Sequence, residues 1–409
     1  MSREKNFQRG NANSDLWDKC MYVRLGEICD FQSGGTPSKN NQKFFDGDIP
    51  WITTVALKGL GIDGSDAVNW ITEEAIKQSA AKIVPANSIM IGTRVGVGKV
   101  AINLVDMSTS QDIVSLIGID ETRWCKEYLC KCLIGKSQYL NSQARGATIK
   151  GIKIDTLANL KIPEISIEKQ YEVSRIIDKT RIIIEQRKQE LMNLNELMKA
   201  RFVEMFGDMY LNSKGWPEAK LESMADVVSG ITKGRKTKAE DLTEVPYMAV
   251  SNVKDGYIDW TTVKTIEATQ QEIEQYRLLA DDVLMTEGGD PDKVGRGAII
   301  KEPLENCIHQ NHIFRVRLDE SMILPEFFAE YLQHQRSKRY FLGCAKQTTG
   351  IASINMTQLR ALPVLMPPLS KQEEFVLFKA QVNKSKVAVQ KALDETQLLF
   401  DSLMQEYFG

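Results

Sequence analysis

Apolar residues recur with a period near seven along two stretches of this chain. Between Glu168 and Phe206 they fall at Val173, Ile177, Ile184, Leu191, Leu194, Met198 and Met205, and neither Pro nor Gly interrupts. Between Lys371 and Phe408 they fall at Phe375, Val382, Val389, Leu393, Phe400, Leu403 and Tyr407, again without a breaker. The spacing predicts two long amphipathic helices with a coiled-coil seam, each roughly 60 Å long. A long helix packed only on its own globular part would leave much of that seam in water, whereas pairing the two helices buries both seams. An antiparallel pair, the arrangement favoured here, would relate the two halves of the chain by a pseudo-two-fold axis.

Elsewhere short apolar runs alternate with turn residues. Within 22–162, Ser88–Ile91, Val100–Leu104 and Ile113–Ile119 read as strands and Glu127–Asn141 as a helix, and 218–365 follow the same order. Pro163 and the pair Pro367-Pro368 are expected to break the chain before each long helix. The organisation is therefore α+β: a polar tail (1–21), a globular part (22–167), a long helix (168–207), a linker (208–217), a second globular part (218–369) and a second long helix (370–409).

The two halves are copies of one unit. Val23-Arg24-Leu25-Gly26-Glu27 recurs as Ala219-Lys220-Leu221-Glu222-Ser223, Ile49-Pro50-Trp51 as Val245-Pro246-Tyr247, and Lys169-Gln170 as Lys371-Gln372. From Gln170 to Gly207 and from Gln372 to Gly409 the match needs no gap, and both copies finish in Phe-Gly. A repeat near 200 residues is far longer than a solenoid period and makes an internal pseudo-dimer.

Composition narrows the class. With 409 residues, 43% hydrophobic and 26% charged, the chain has the make-up of an ordinary globular protein with room for two cores. The tail lacks the apolar core of a signal peptide and no run is long enough to span a bilayer, so the chain is expected in the cytoplasm. Seven Cys, an odd number, suit a reducing compartment. Neither Cys125, Cys130 and Cys132 nor Cys307 with His309 and His312 has the spacing of a zinc site, and buried thiols are the expected state. The net charge of −2 does not advertise nucleic-acid binding, although local patches, not the total, set it.

Two different globular parts alternating with two similar long helices, Gly-Gly-Thr-Pro with Gly-Asp-Ile-Pro-Trp in the first, and Pro-Pro-Leu-Ser-Lys-Gln opening the last helix make the chain resemble the specificity (S) subunit of a type I restriction-modification system. The resemblance covers nearly the whole chain beyond the tail. It implies tandem target recognition domains, each reading half of a split, asymmetric site on double-stranded DNA, with the antiparallel helix pair as a ruler for the gap. It further implies two methyltransferase (M) subunits and restriction (R) subunits as partners, which would carry S-adenosylmethionine, ATP and Mg, and no cofactor, metal or catalytic residue on this chain. The first helix opens with Pro163-Glu-Ile-Ser-Ile-Glu-Lys, a weaker version of the family's opening.

On that resemblance, polar and basic residues on Gly-containing loops are the candidate DNA contacts. In the first domain they are Thr36, Ser38, Lys39, Asn40, Arg94, Lys99, Arg145, Thr148 and Lys150. In the second they are Lys233, Arg235, Lys236, Lys293, Arg296, Gln347, Thr348 and Ser353. Arg suits guanine, and Asn or Gln adenine. Phe44, Phe45 and Trp51 are expected to anchor the first loop, Ser33–Trp51. The corresponding loop of the second domain lacks the Pro and is more basic, which points to a different half-site.

Enzyme readings find little support. The chain has no Asn-Pro-Pro-Tyr or Asp-Pro-Pro-Tyr tetrapeptide and no Pro-Cys pair for base methylation, and no Gly-rich dinucleotide fingerprint. Pro291-Asp292 lacks the downstream acid and Lys of a nuclease signature. Two other readings stay open from sequence alone: a coiled-coil scaffold with two interaction domains that binds no DNA, and a stand-alone DNA-binding regulator.

Overall fold

The computed structural model of the chain describes residues 21–58, 61–146, 150–235, 241–348 and 350–408, the side chains of 292, 347, 348 and 351 excepted. Two compact units emerge, Met1–Lys188 with Lys391–Gly409, and Gln189–Gln390. Each is a globular part joined by the start of the long helix that follows it and by the far end of the other.

In the first unit an antiparallel sheet orders its strands Asp30–Ser33, Ile113–Ile117, Ile89–Gly92 and Val100–Ile102. Ile89 and Ile91 enter one core cluster while Met90, pointing the other way, enters a second. Both faces are covered, which is why these strands read as unbroken apolar runs and not as alternating ones. A second sheet runs Asn69–Ile71, Ile49–Ile52, Met107–Thr109 and Ile83–Val84, its middle pair parallel. A ribbon of Met21–Arg24 and Lys161–Glu164 completes the unit.

The second unit repeats this plan. Its main sheet is ordered Ala225–Ser229, Ile313–Leu318, Val283–Thr286 and Gly297–Ile299, its second is Lys264–Ala268, Thr243–Met248 and Ile308–His309, and its ribbon pairs Glu218–Lys220 with Pro363–Leu365. It adds a small sheet of Gly288–Gly289, Ile351–Ser353 and Lys346–Thr348.

Two local expectations change. Pro163 does not break the chain but lies in the ribbon strand opposite Tyr22, where the two-stranded edge tolerates its missing N–H, and its carbonyl accepts from the Tyr128 hydroxyl at 3.1 Å. The helix expected over Glu127–Asn141 is two, Lys126–Gly135 and Ser137–Gln143. The break falls at Lys136, and at the preceding Gly135 a Cβ would lie 2.6 Å from the Cβ of Phe408, so the close approach of that residue demands glycine.

The long helices are Ile167–Phe206 and Leu369–Phe408, and they meet antiparallel within each unit. In the first, Val173 and Ile177 share a core with Tyr407 and Phe408, flanked by Phe400 and Leu403, while Arg187 donates to the Ala392 carbonyl and the Thr396 hydroxyl. In the second, Phe202 sits 5.2 Å from Phe375 between ring centroids, and Arg201 bridges Glu374 at 2.7 Å. Val173, Ile177, Ile184, Met198, Met205, Phe375, Val382 and Tyr407 are buried, and Leu191, Leu194, Val389, Leu393, Phe400 and Leu403 half-buried.

The repeated Gln fastens each helix to its domain. Buried Gln170 accepts from the Cys125 amide at 2.8 Å and donates to the Arg123 and Ile165 carbonyls, both at 2.9 Å. Gln372 does the same with the Leu324 amide and the Pro367 and Met322 carbonyls. Phe206 and Phe408, the repeated Phe of Phe-Gly, each seat in the core of the other repeat's globular part: Phe408 against Tyr128 at 5.6 Å, Phe206 against Phe327 at 4.8 Å.

Candidate nucleic-acid interface

The loop after Asp30–Ser33 is clamped to the domain. A Cβ on Gly34 would meet the Ser110 carbonyl oxygen at 2.2 Å and one on Gly35 the Ala80 carbonyl at 2.2 Å, so backbone packs where no side chain fits. The Trp51 indole N–H donates to the Gly35 carbonyl at 3.0 Å. Phe44 and Trp51 are buried with Ile71, Ala75 and Ala81, and Phe45 packs at their margin. This frame leaves Ser38, Lys39 and Asn40 exposed and Thr36 half-buried.

A second group of candidates converges on a cleft. The bridge between Arg145 and Gly151 closes a small hairpin, and the Ile152 amide donates to the Thr93 carbonyl at 2.8 Å, laying that hairpin beside Arg94. The resulting cleft, about 570 Å³, is lined by Arg94, Gln143, Arg145, Gly151, Ile152, Lys153 and Thr156. A neighbouring hollow of about 440 Å³ shares Arg94 and adds Lys150. No carboxylate of the described residues lines either. The side chains of Arg94, Lys99, Arg145, Lys150 and Lys153 have no hydrogen-bond or ion-pair partner among the described residues. Grouped cations without counter-charges raise the local potential and favour an anion. Lys153 and Gln143 escaped sequence reading, because only closure of the hairpin brings them to Arg94.

Matching backbone bonds locate the equivalent place in the second unit. Ile354 donates to the Glu287 carbonyl at 2.8 Å as Ile152 does to Thr93, and Glu287 to the His312 carbonyl at 2.9 Å as Thr93 to Asp112. Thr286 donates to the Arg296 carbonyl at 3.1 Å as Gly92 to Lys99. Arg296, half-buried, thus stands at the position of Lys99, and the hairpin carrying Gln347, Thr348 and half-buried Ser353 at that of Arg145 to Gly151. Thr148 and Lys236 lie outside the described residues, as do the side chains of Gln347 and Thr348.

Charges here are more committed. Lys293 pairs with Asp290. Arg235 grips Glu272 through two bonds of 2.5 and 2.6 Å and reaches the Glu267 carbonyl at 3.0 Å, and this fork holds the Glu272 carboxyl down to about 2. With its donors so engaged, Arg235 serves the loop's structure. Lys233 is exposed.

The Cys and His groups are structural. Cys125, Cys130, Cys132 and Cys307 are buried, and burial pushes the Cys130 thiol up to about 12. Buried His309 lies between the Tyr276 and Val228 carbonyls, its pKa lowered by burial to about 4, while His312 is exposed and pairs with Glu287. No group of metal-ligating side chains occurs among the described residues, and no helix among them is long and apolar enough to cross a membrane.

Comparison with known proteins meets this geometry. The profile of the type I restriction modification DNA specificity domain matches twice, over 18–193 and 213–395, once for each repeat. The chain belongs to that family. The type I specificity-domain chain is 26% identical over 262 residues to the MjaIX specificity subunit of Methanocaldococcus jannaschii, an alignment spanning 59% of each. In fold it is similar to the type I restriction-modification S subunit from M. genitalium, at a TM-score of 0.55 and 14% identity over 96% of this chain and 97% of that one. A chain from a structure titled for complex assembly and conformational transition of the type I R-M system gives 0.58, with 17% identity over 95% and 97%.

Proposed function

We propose that this chain is the DNA sequence-recognition subunit of a type I restriction-modification complex, non-catalytic itself. Each globular part reads one half of a bipartite, asymmetric site, the helix pair sets the gap, and methyltransferase and restriction subunits dock to act on the bound DNA. S-adenosylmethionine, ATP and Mg belong to those partners, and the complex works in the cytoplasm. The observation that carries this reading is the cleft of Arg94, Arg145 and Lys153 in one repeat, without partners among the described residues, with a geometrically equivalent hairpin in the other. Two repeats with one fold and different side chains in one place suit two half-sites of different sequence.

Within the first domain, Arg94, Lys99, Arg145, Lys150 and Lys153 contact phosphates and base edges, as do Thr148 and, on the clamped loop, Thr36, Ser38, Lys39 and Asn40. In the second, Lys233, Lys236, Lys293, Arg296, Gln347, Thr348 and Ser353 take these roles, whereas Arg235 is left out because Glu272 fills its fork.

A methylation map of genomic DNA from cells carrying the cognate methyltransferase, with and without this gene, tests the reading. A split motif that disappears with the gene is expected, and replacing the second domain alone should change one half of it. An unchanged map with both proteins expressed would favour a scaffold that binds no DNA.

A further inference from the structure

The second unit carries a carboxylate where the first carries a hydroxyl. By the shared backbone bonds, Glu287 and His312 occupy the positions of Thr93 and Asp112, at the root of the hairpin. Thr93 is buried and its hydroxyl is spent on the Asp112 carbonyl at 3.2 Å. The Glu287 and His312 side chains are 34% and 56% exposed. His312 Nδ1 donates to Glu287 Oε2 at 2.5 Å, and Oε1 has no partner among the described residues.

The backbone beneath this carboxylate is held on three sides. The Glu287 N–H goes to His312, its carbonyl receives Ile354, and the following Gly288 and Gly289 pair with Ser353 and Ala352. Glu287 is thus a fixed acceptor beside a hairpin proposed to lie on DNA.

Phosphates repel such a group, so it is compatible with bound DNA only where it meets an N–H donor. In the major groove the donors are the cytosine N4 and adenine N6 amino groups. Adenine places its N7 acceptor beside N6, which opposes the second carboxylate oxygen, whereas the cytosine edge offers N4 with no acceptor of its own. We propose that Glu287 is a specificity-determining residue of the second domain, accepting a hydrogen bond from the N4 amino group of a cytosine in its half-site. His312 is the positioning residue that holds the carboxylate. The proposal rests on the DNA-recognition reading above.

The test is the same methylation map with full-length wild-type, Glu287→Gln, His312→Ala and His312→Asn chains. Wild type should mark a split motif with a required C·G pair in one half. Glu287→Gln should relax that one position by about fivefold or more and leave the other half untouched. His312→Ala should weaken discrimination at the same position, and His312→Asn, whose amide keeps a donor near Nδ1, should restore it. Should Glu287→Gln fold poorly, Glu287→Thr supplies the first domain's residue and the same expected loss. Unchanged selectivity at every position, or an equal loss at all positions from a variant that melts like wild type, would overturn the proposal. Absence of any split motif from wild-type cells would instead sink the recognition reading beneath it.

Discussion

Arg145 is exposed, carries no counter-charge among the described residues, and faces Arg94 and Lys153 across the cleft. An Arg145→Ala chain should bind its DNA site about 1–3 kcal/mol more weakly if the guanidinium reads a base, and should lower the salt slope by about one if it sits on phosphate. Anisotropy titrations of the full complex across a salt series separate the two. Arg235 behaves oppositely. Its fork holds the Glu272 carboxyl at about 2 against an ordinary 4.5, and a pKa depressed on folding contributes stability that is present above the ordinary value and lost as pH falls through the folded one. Urea midpoints should therefore fall more steeply between about pH 5 and pH 2 for wild type than for Arg235→Met. Sequence distinguishes these two arginines poorly, since both sit near glycines in basic loops. What separates them is Glu272, 37 residues from Arg235 and brought near by the fold.

At the scale of elements, the seven-residue period located both long helices to within a residue or two, because a buried seam leaves a regular trace. It could not show that the first turns of each helix belong to a domain core as much as to the partner helix. Val173 and Ile177 in one unit and Phe375 in the other are such positions. Phe206 and Phe408 were visible only as repeated letters, since which pocket a ring fills is a matter of tertiary structure. A Phe408→Ala chain should destabilise the first unit by about 3–5 kcal/mol, the usual cost of emptying a buried aromatic site. Hydrogen exchange should report the loss around Tyr128 and leave the Phe327 region near its wild-type protection.

For the whole molecule, the proposed ruler makes a geometric claim. Seven residues inserted at equivalent places in both helices keep the seam in phase and lengthen each by about 10 Å. Methylation mapping should then show both half-sites unchanged and the gap longer by about three base pairs, at 3.4 Å each. A four-residue insertion in one helix alone should instead misalign the seam and abolish modification. The internal repeat made this architecture readable, because identical spacing in two copies is hard to produce by chance. The cleft was read only in part, since Arg94 lies far in sequence from the segment that carries the other walls and meets it through the bond from Ile152 to Thr93.

The crossed seating of Phe206 and Phe408 also bears on how the protein is made. Translation delivers the first globular part early, yet the ring that packs against Tyr128 emerges roughly 200 residues later, about 10–40 s at ordinary elongation rates. Throughout that interval the nascent first domain presents an open apolar socket to solvent. A pause or truncation within the second domain would leave that socket open, and the aborted chain would be a natural client for chaperones and proteases.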